Sequence, residues 1–142
     1  RIADLHCGVG TFTFRLAEIA PVYAVDMAAD AVSALGAAVS TAPGLKGVRT
    51  EARDLVRRPV LADELKKMDV VVFDPPRAGA AEQAGEIARS VVSRVVGVSC
   101  NPATFVRDAR ILIDAGFRLE RLLPVDQFLW SPHAEIVGVF QR

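Results

Sequence analysis

Short apolar runs alternate with longer amphipathic stretches along the whole chain. Ile2 to Leu5, Val22 to Val25, Met68 to Phe73 and Val95 to Ser99 are apolar runs of strand length. Between them, apolar residues recur at helical spacing. Phe12, Leu16 and Ile19 predict one buried face and Pro21 ends that helix; Val32, Leu35 and Val39 predict the next. Glu82 to Val92 reads as a third helix. A fourth follows Pro102, with Phe105, Ala109, Leu112 and Ile113 on one face and Gly116 as its stop. Pro43-Gly44 is a turn, and Gly47 to Ala52 a short, partly polar strand. Phe117 to Val125 and Ile136 to Phe140 read as a closing strand pair around a loop from 126 to 135. The alternation predicts an α/β fold: a doubly wound, Rossmann-like sheet of seven strands, mostly parallel, with helices on both faces and an antiparallel C-terminal strand.

Several strands end in a polar residue, which is where open α/β sheets hold ligands. The first runs into His6-Cys7-Gly8-Val9-Gly10-Thr11, whose glycines let the backbone turn sharply and approach a ligand closely. The second ends at Asp26, which either meets a ribose hydroxyl pair or merely caps a helix. A dinucleotide fingerprint is incomplete, because Thr13 stands at its third glycine position. After the third strand, Asp54 is a candidate adenine contact or a solvated loop acid. Arg49, Arg53, Arg57 and Arg58 form the most basic stretch, a solvated face or an RNA contact.

The fourth strand ends in Asp74-Pro75-Pro76-Arg77, where two prolines predict a rigid, extended loop suited to holding a planar base. The fifth ends in Ser99-Cys100-Asn101-Pro102. Asn101 is a good N-cap and Pro102 fits the first helical position, so Cys100 stands at a helix N-terminus that favours thiolate over thiol. Cys100 is thus a candidate nucleophile, or else a small buried hydrophobe. Trp130, Pro132, His133 and Glu135 share one loop and are expected to form a pocket wall.

Composition narrows the field. The 142 residues are 51% hydrophobic and suit one domain, residues 1–142. Seventeen basic and seventeen acidic residues balance, which excludes a self-sufficient, broadly basic nucleic-acid binder. Cys7 and Cys100 lack metal-ligand spacing, so no metal is expected and a reducing, cytoplasmic setting is. No apolar run approaches the about 18 residues of a membrane span. The abrupt start in a strand reads as a fragment of a longer protein.

The motifs Asp4-Leu5-His6-Cys7-Gly8-Val9-Gly10, Asp74-Pro75-Pro76-Arg77-Ala78-Gly79, Ser99-Cys100-Asn101-Pro102 and His133-Ala134-Glu135 together resemble the RNA uridine C5-methyltransferases. These are class I enzymes that use S-adenosyl-L-methionine to make 5-methyluridine in tRNA or rRNA. The resemblance implies that Cys100 adds to C6 of uracil and that Glu135 removes the C5 proton. It implies cofactor contacts from His6, Gly8, Gly10, Thr11, Asp26, Asp54 and Asp74. Substrate contacts are implied for Asp74, Pro75, Arg77, Asn101 and His133. A monomer acting on a flipped or single-stranded uridine is expected, with RNA-binding and central domains upstream. Two departures stand out: His6 replaces a more usual Phe or Tyr, and Leu129-Trp130 replace a Pro and a polar residue.

Three rivals remain at this point. An amino-nitrogen methyltransferase would use the Asp74-Pro75-Pro76 loop, although such enzymes usually carry an aromatic residue where Arg77 stands. An NAD-dependent oxidoreductase would need the missing glycine. A non-catalytic cofactor- or RNA-binding module would have no use for Cys100 and Glu135.

Overall fold

The computed structural model describes residues 1–126, 130 and 134–142. Seven strands form one sheet in the order β3-β2-β1-β4-β5-β7-β6. They are β1 (Ile2–Leu5), β2 (Val22–Asp26), β3 (Val48–Ala52), β4 (Val70–Phe73), β5 (Arg94–Ser99), β6 (Arg118–Val125) and β7 (Glu135–Gln141). Pairings from β3 through β5 are parallel, and β7 runs antiparallel to both of its neighbours. Four helices connect them: α1 (Thr13–Ile19), α2 (Ala29–Thr41), α3 (Ala81–Arg89) and α4 (Pro102–Asp114).

The chain moves outward from β1 to β3, then crosses back to place β4 on the other side of β1. That reversal makes β1/β4 the switch point, where a ligand crevice opens at the strand C-termini. Every residue of β1 is buried, as expected for a strand covered on both faces. One core layer joins Leu5, Val25, Phe73 and Val95 to Ile87, Phe105 and Leu112 from α3 and α4. The other joins Ile2, Ala24 and Val72 to Ala17 of α1 and Leu35 of α2.

The structure shifts several expected boundaries. A 3-10 turn (Glu64–Lys67) takes up the approach to β4, which starts at Val70 rather than Met68. α3 ends at Arg89, short of Val92. Glu135, expected in a loop, is the first residue of β7. Of the expected stripe, Leu16 packs against the core but Ile19 is 75% exposed, and the residues α1 buries fully are Thr13 and Ala17. α4 buries Phe105, Ala109 and Leu112 as expected but leaves Ile113 exposed at its edge.

One cation of the arginine stretch, Arg53, is occupied by the fold. Arg53 donates to both carboxylate oxygens of Glu64, at 2.8 and 2.9 Å, and to the carbonyls of Arg58 and Pro59. This fork–fork pair pushes the Arg53 guanidinium pKa up and draws Glu64 down. Arg49 pairs with Glu51 and lies over the Tyr23 ring. Arg53 is therefore structural, whereas the Arg49 side chain stays 75% exposed. No helix among the described residues is long and apolar enough to cross a membrane.

Candidate active site

The register of the sheet gathers the strand-end residues into one row. Leu5 pairs with both Val25 and Phe73, so the next position sets His6 between Asp26 and Asp74. Asp74 fixes the level by donating its N–H to the Leu5 carbonyl at 3.1 Å. His6, Asp26, Asp54 and Asp74 line a cleft of about 280 Å³. Met27, Leu55, Val56 and Pro76 complete its wall; Pro76 belongs to the proline loop, whereas neither the types nor the spacing of the other three marks them in the sequence. A larger cavity of about 560 Å³ opens at the opposite edge, between Tyr23, Arg49 and Met68, away from all of these strand ends.

The glycine turn is closed by Asp26. Its carboxylate accepts the Gly8 N–H and the Ala28 N–H, both at 2.9 Å, leaving lone pairs for a ligand's hydroxyls. Asp26 thus holds the turn and lines the cleft, while the N-cap position of α2 belongs to Ala28, which makes no side-chain capping bond. Gly10 adopts φ 96°, and a Cβ there would lie 2.4 Å from Leu35 Cδ1, so the turn packs flush on α2. Gly8 and Gly10 act through backbone shape, whereas Thr11 is exposed and does not line the cleft. Asp54 accepts from the N–H groups of Val56 and Arg57 while lining the cleft.

The cleft is strongly anionic and partly dry. Asp4, fully buried behind it, accepts a 2.5 Å hydrogen bond from the Thr13 hydroxyl, which explains a threonine at the third glycine position. Burial, opposed by that bond and reinforced by Asp74 and Asp26, pushes the Asp4 carboxyl up to about 6. Burial and the neighbouring charge of Glu135 raise Asp74 as well. Burial lowers His6, which keeps its ring neutral near pH 7. Asp4 Oδ1 and His6 Nε2 are buried without a hydrogen-bond partner among the described residues. Among the described residues no lysine or arginine lines the cleft. A cationic, hydroxyl-bearing ligand fits this donor set.

Asp4 gives a pH signature. Its folded carboxyl keeps a proton up to about 6, whereas the unfolded chain releases it near 3.8. The folded state therefore binds more protons between those values, and this group's contribution to stability falls as pH rises through them. Asp4→Asn removes that dependence. In urea unfolding, the variant-minus-wild-type stability difference is expected to climb by about 2–3 kcal/mol between about pH 4 and 6, then level off. A difference that stays flat across that range contradicts the assignment.

Beyond the row, β5 continues. Phe73 pairs with Gly97, which puts Val98 level with Asp74 and Cys100 two residues further. Ser99 pairs with Ile136 across the antiparallel β5/β7 ladder, so the next step sets Cys100 opposite Glu135. Cys100 thus leaves the end of β5 where Glu135 opens β7. Cys100 is half-buried and free; Cys7 is also free, but buried, and its thiol is pushed up to about 12.

Asn101 caps α4 as expected, accepting the Ala103 N–H at 3.1 Å. Its amide also donates to the Arg77 carbonyl at 3.0 Å, tying the proline loop to the cysteine's helix. Pro75 is buried, and Arg77 is exposed beside it. Trp130 is fully exposed, so it is no pocket wall: its backbone, at φ 63°, turns it outward. Pro132 and His133 lie outside the described residues.

Comparisons with known proteins agree with this geometry. Residues 1–142 match the family described as tRNA (uracil-5-)-methyltransferase. A protein of Caulobacter vibrioides named as an uncharacterized RNA methyltransferase is 69% identical over 142 residues, 100% of this chain and 34% of that protein. The 23S rRNA (uracil(1939)-C(5))-methyltransferase of Hahella chejuensis is 38% identical, over 99% of this chain and 33% of its own length. The crystal structure of Pyrococcus abyssi tRNA (uracil-54, C5)-methyltransferase in complex with S-adenosyl-L-homocysteine superposes with a TM-score of 0.84. It is 31% identical, over 99% of this chain and 34% of that one. The chain spans about a third of the length of these relatives.

Proposed function

Because this chain belongs to the tRNA (uracil-5-)-methyltransferase family, we propose that it is the catalytic part of an S-adenosyl-L-methionine-dependent enzyme methylating C5 of a uridine in tRNA or rRNA. The observation that supports this reading is the end of the β5/β7 ladder, where Cys100 and Glu135 follow the Ser99–Ile136 pair and Glu135 lies close enough to Asp74 of the cleft to raise its carboxyl.

His6, Asp26, Asp54 and Asp74 would hold the methyl donor. Asp26 offers free lone pairs to its ribose hydroxyls, and the surrounding carboxylates favour its positive charge. When bound, it supplies an electrophilic methyl group to carbon C5. The protein's own work is to make that carbon reactive. Uracil C5 is a poor nucleophile until the Cys100 thiolate adds to C6, which moves the C5–C6 electron pair toward the C4 carbonyl as an enolate. After methylation C5 carries both a proton and the new methyl. Glu135 takes the proton, the C5–C6 double bond re-forms, and the sulfur leaves C6 as thiolate. Asp74, Pro75, Arg77 and Asn101 form the rigid wall beside the ring, and His133 is proposed as a further contact. The zero net charge leaves most RNA affinity to the remainder of the protein.

The test is methyl transfer by the full-length protein to unmodified RNA, with nucleosides resolved by mass spectrometry. 5-Methyluridine is the expected product. A methyl group on an amino nitrogen, or no transfer despite donor binding, overturns the reading.

A further inference from the structure

The loop after β4 is fastened to α4 by more than its proline geometry. Thr104 Oγ1 donates to the Arg77 carbonyl at 3.2 Å, beside the Asn101 amide. Arg107 Nη2 donates to the Ala78 carbonyl at 2.9 Å. Asp108, 3% exposed, accepts the Ala80 N–H at 2.7 Å through Oδ2 and the Arg107 guanidinium through Oδ1. Residues 101, 104 and 108 follow helical spacing, so one face of α4 grips the loop backbone from 77 to 80. Gly79 shows how close the grip is. It adopts φ 76°, and a Cβ there would lie 2.4 Å from Arg107 Nη2 and 2.7 Å from Asp108 Oδ2.

These contacts join two parts with different jobs. The loop carries Asp74, Pro75 and Arg77, and α4 starts immediately after Cys100. If the two moved independently, the distance from ring to sulfur would vary with each loop excursion. Misplacement of about 1 Å at a reacting centre costs on the order of a hundredfold in rate. We propose that Thr104, Arg107 and Asp108 are positioning residues: a latch that holds the base-binding loop in fixed relation to Cys100. The proposal rests on the uridine reading above and adds what sets the ring against the nucleophile. A purely architectural role predicts a lower melting temperature with unchanged chemistry in the folded protein.

Arg107→Met tests this in the full-length protein, since the Arg107 side chain is 47% exposed and its stem survives the change. Three readouts are taken together: amide exchange at Gly79 and Ala80, affinity for S-adenosyl-L-homocysteine, and the rate of covalent adduct formation on 5-fluorouridine RNA. The latch predicts about tenfold faster exchange at those two amides. It also predicts about tenfold to hundredfold slower adduct formation, with affinity for S-adenosyl-L-homocysteine within about twofold of wild type. Arg107→Lys, which retains one donor for the Ala78 carbonyl, should recover part of both losses. Wild-type exchange at Gly79 and Ala80 overturns the latch, as does faster exchange with an unchanged adduct rate. If wild type itself forms no adduct, the uridine reading fails, and the exchange data alone decide whether the loop is latched.

Discussion

Replacing Cys100 by alanine in the full-length protein is expected to abolish 5-methyluridine formation, by roughly 10⁴-fold or more, because no other group can activate C5. Cys7 offers no substitute: it is 5% exposed, and burial pushes its thiol up to about 12. The loss should be confined to chemistry. Cys100 stands two residues beyond the row that lines the cleft, so affinity for S-adenosyl-L-homocysteine by calorimetry should stay within about twofold. Turnover retained in Cys100→Ala would place the reaction on a nitrogen, or on a carbon that needs no nucleophile.

Glu135→Gln should stop the same cycle later. The amide keeps the shape and leaves the β7 pairing with β5 and β6 intact, but it cannot take a proton from C5. Addition and methyl transfer proceed, and release slows by about 10²–10⁴-fold. A methylated protein–RNA adduct should therefore accumulate on ordinary uridine, visible as a mass increase on the Cys100 peptide. Wild-type turnover in Glu135→Gln would assign proton removal to another group. Together the two variants separate the nucleophile from the base, since one prevents the adduct and the other preserves it.

Much of this site is legible in the sequence because its residues sit where strands end. An apolar run of strand length marks its own C-terminus, so His6, Asp26, Asp74 and Cys100 can be placed at one sheet edge before any coordinates exist. What the sequence leaves open depends on contacts between distant segments. The part of the cleft wall formed by Met27, Leu55 and Val56 uses residue types that also fill cores. Glu135 belongs to β7 because it pairs with Val125 of β6, a register no local pattern encodes. The Asp108–Ala80 contact joins residues 28 positions apart. Arg53 looks like a surface cation until Glu64, 11 residues on, folds back to meet it. The stripe from Phe12 to Ile19 is only partly right: Leu16 reaches the core, but the helix ends at Ile19 with that side chain exposed.

The central claim is that Cys100 bonds covalently to the uracil ring, and covalent trapping tests it most directly. The full-length protein is incubated with S-adenosyl-L-methionine and RNA containing 5-fluorouridine, then digested and analysed by mass spectrometry. Fluorine at C5 cannot leave as a proton does, so the adduct should persist on the Cys100 peptide and carry one transferred methyl group. An adduct on another residue, or none while donor and RNA are both bound, would contradict the account.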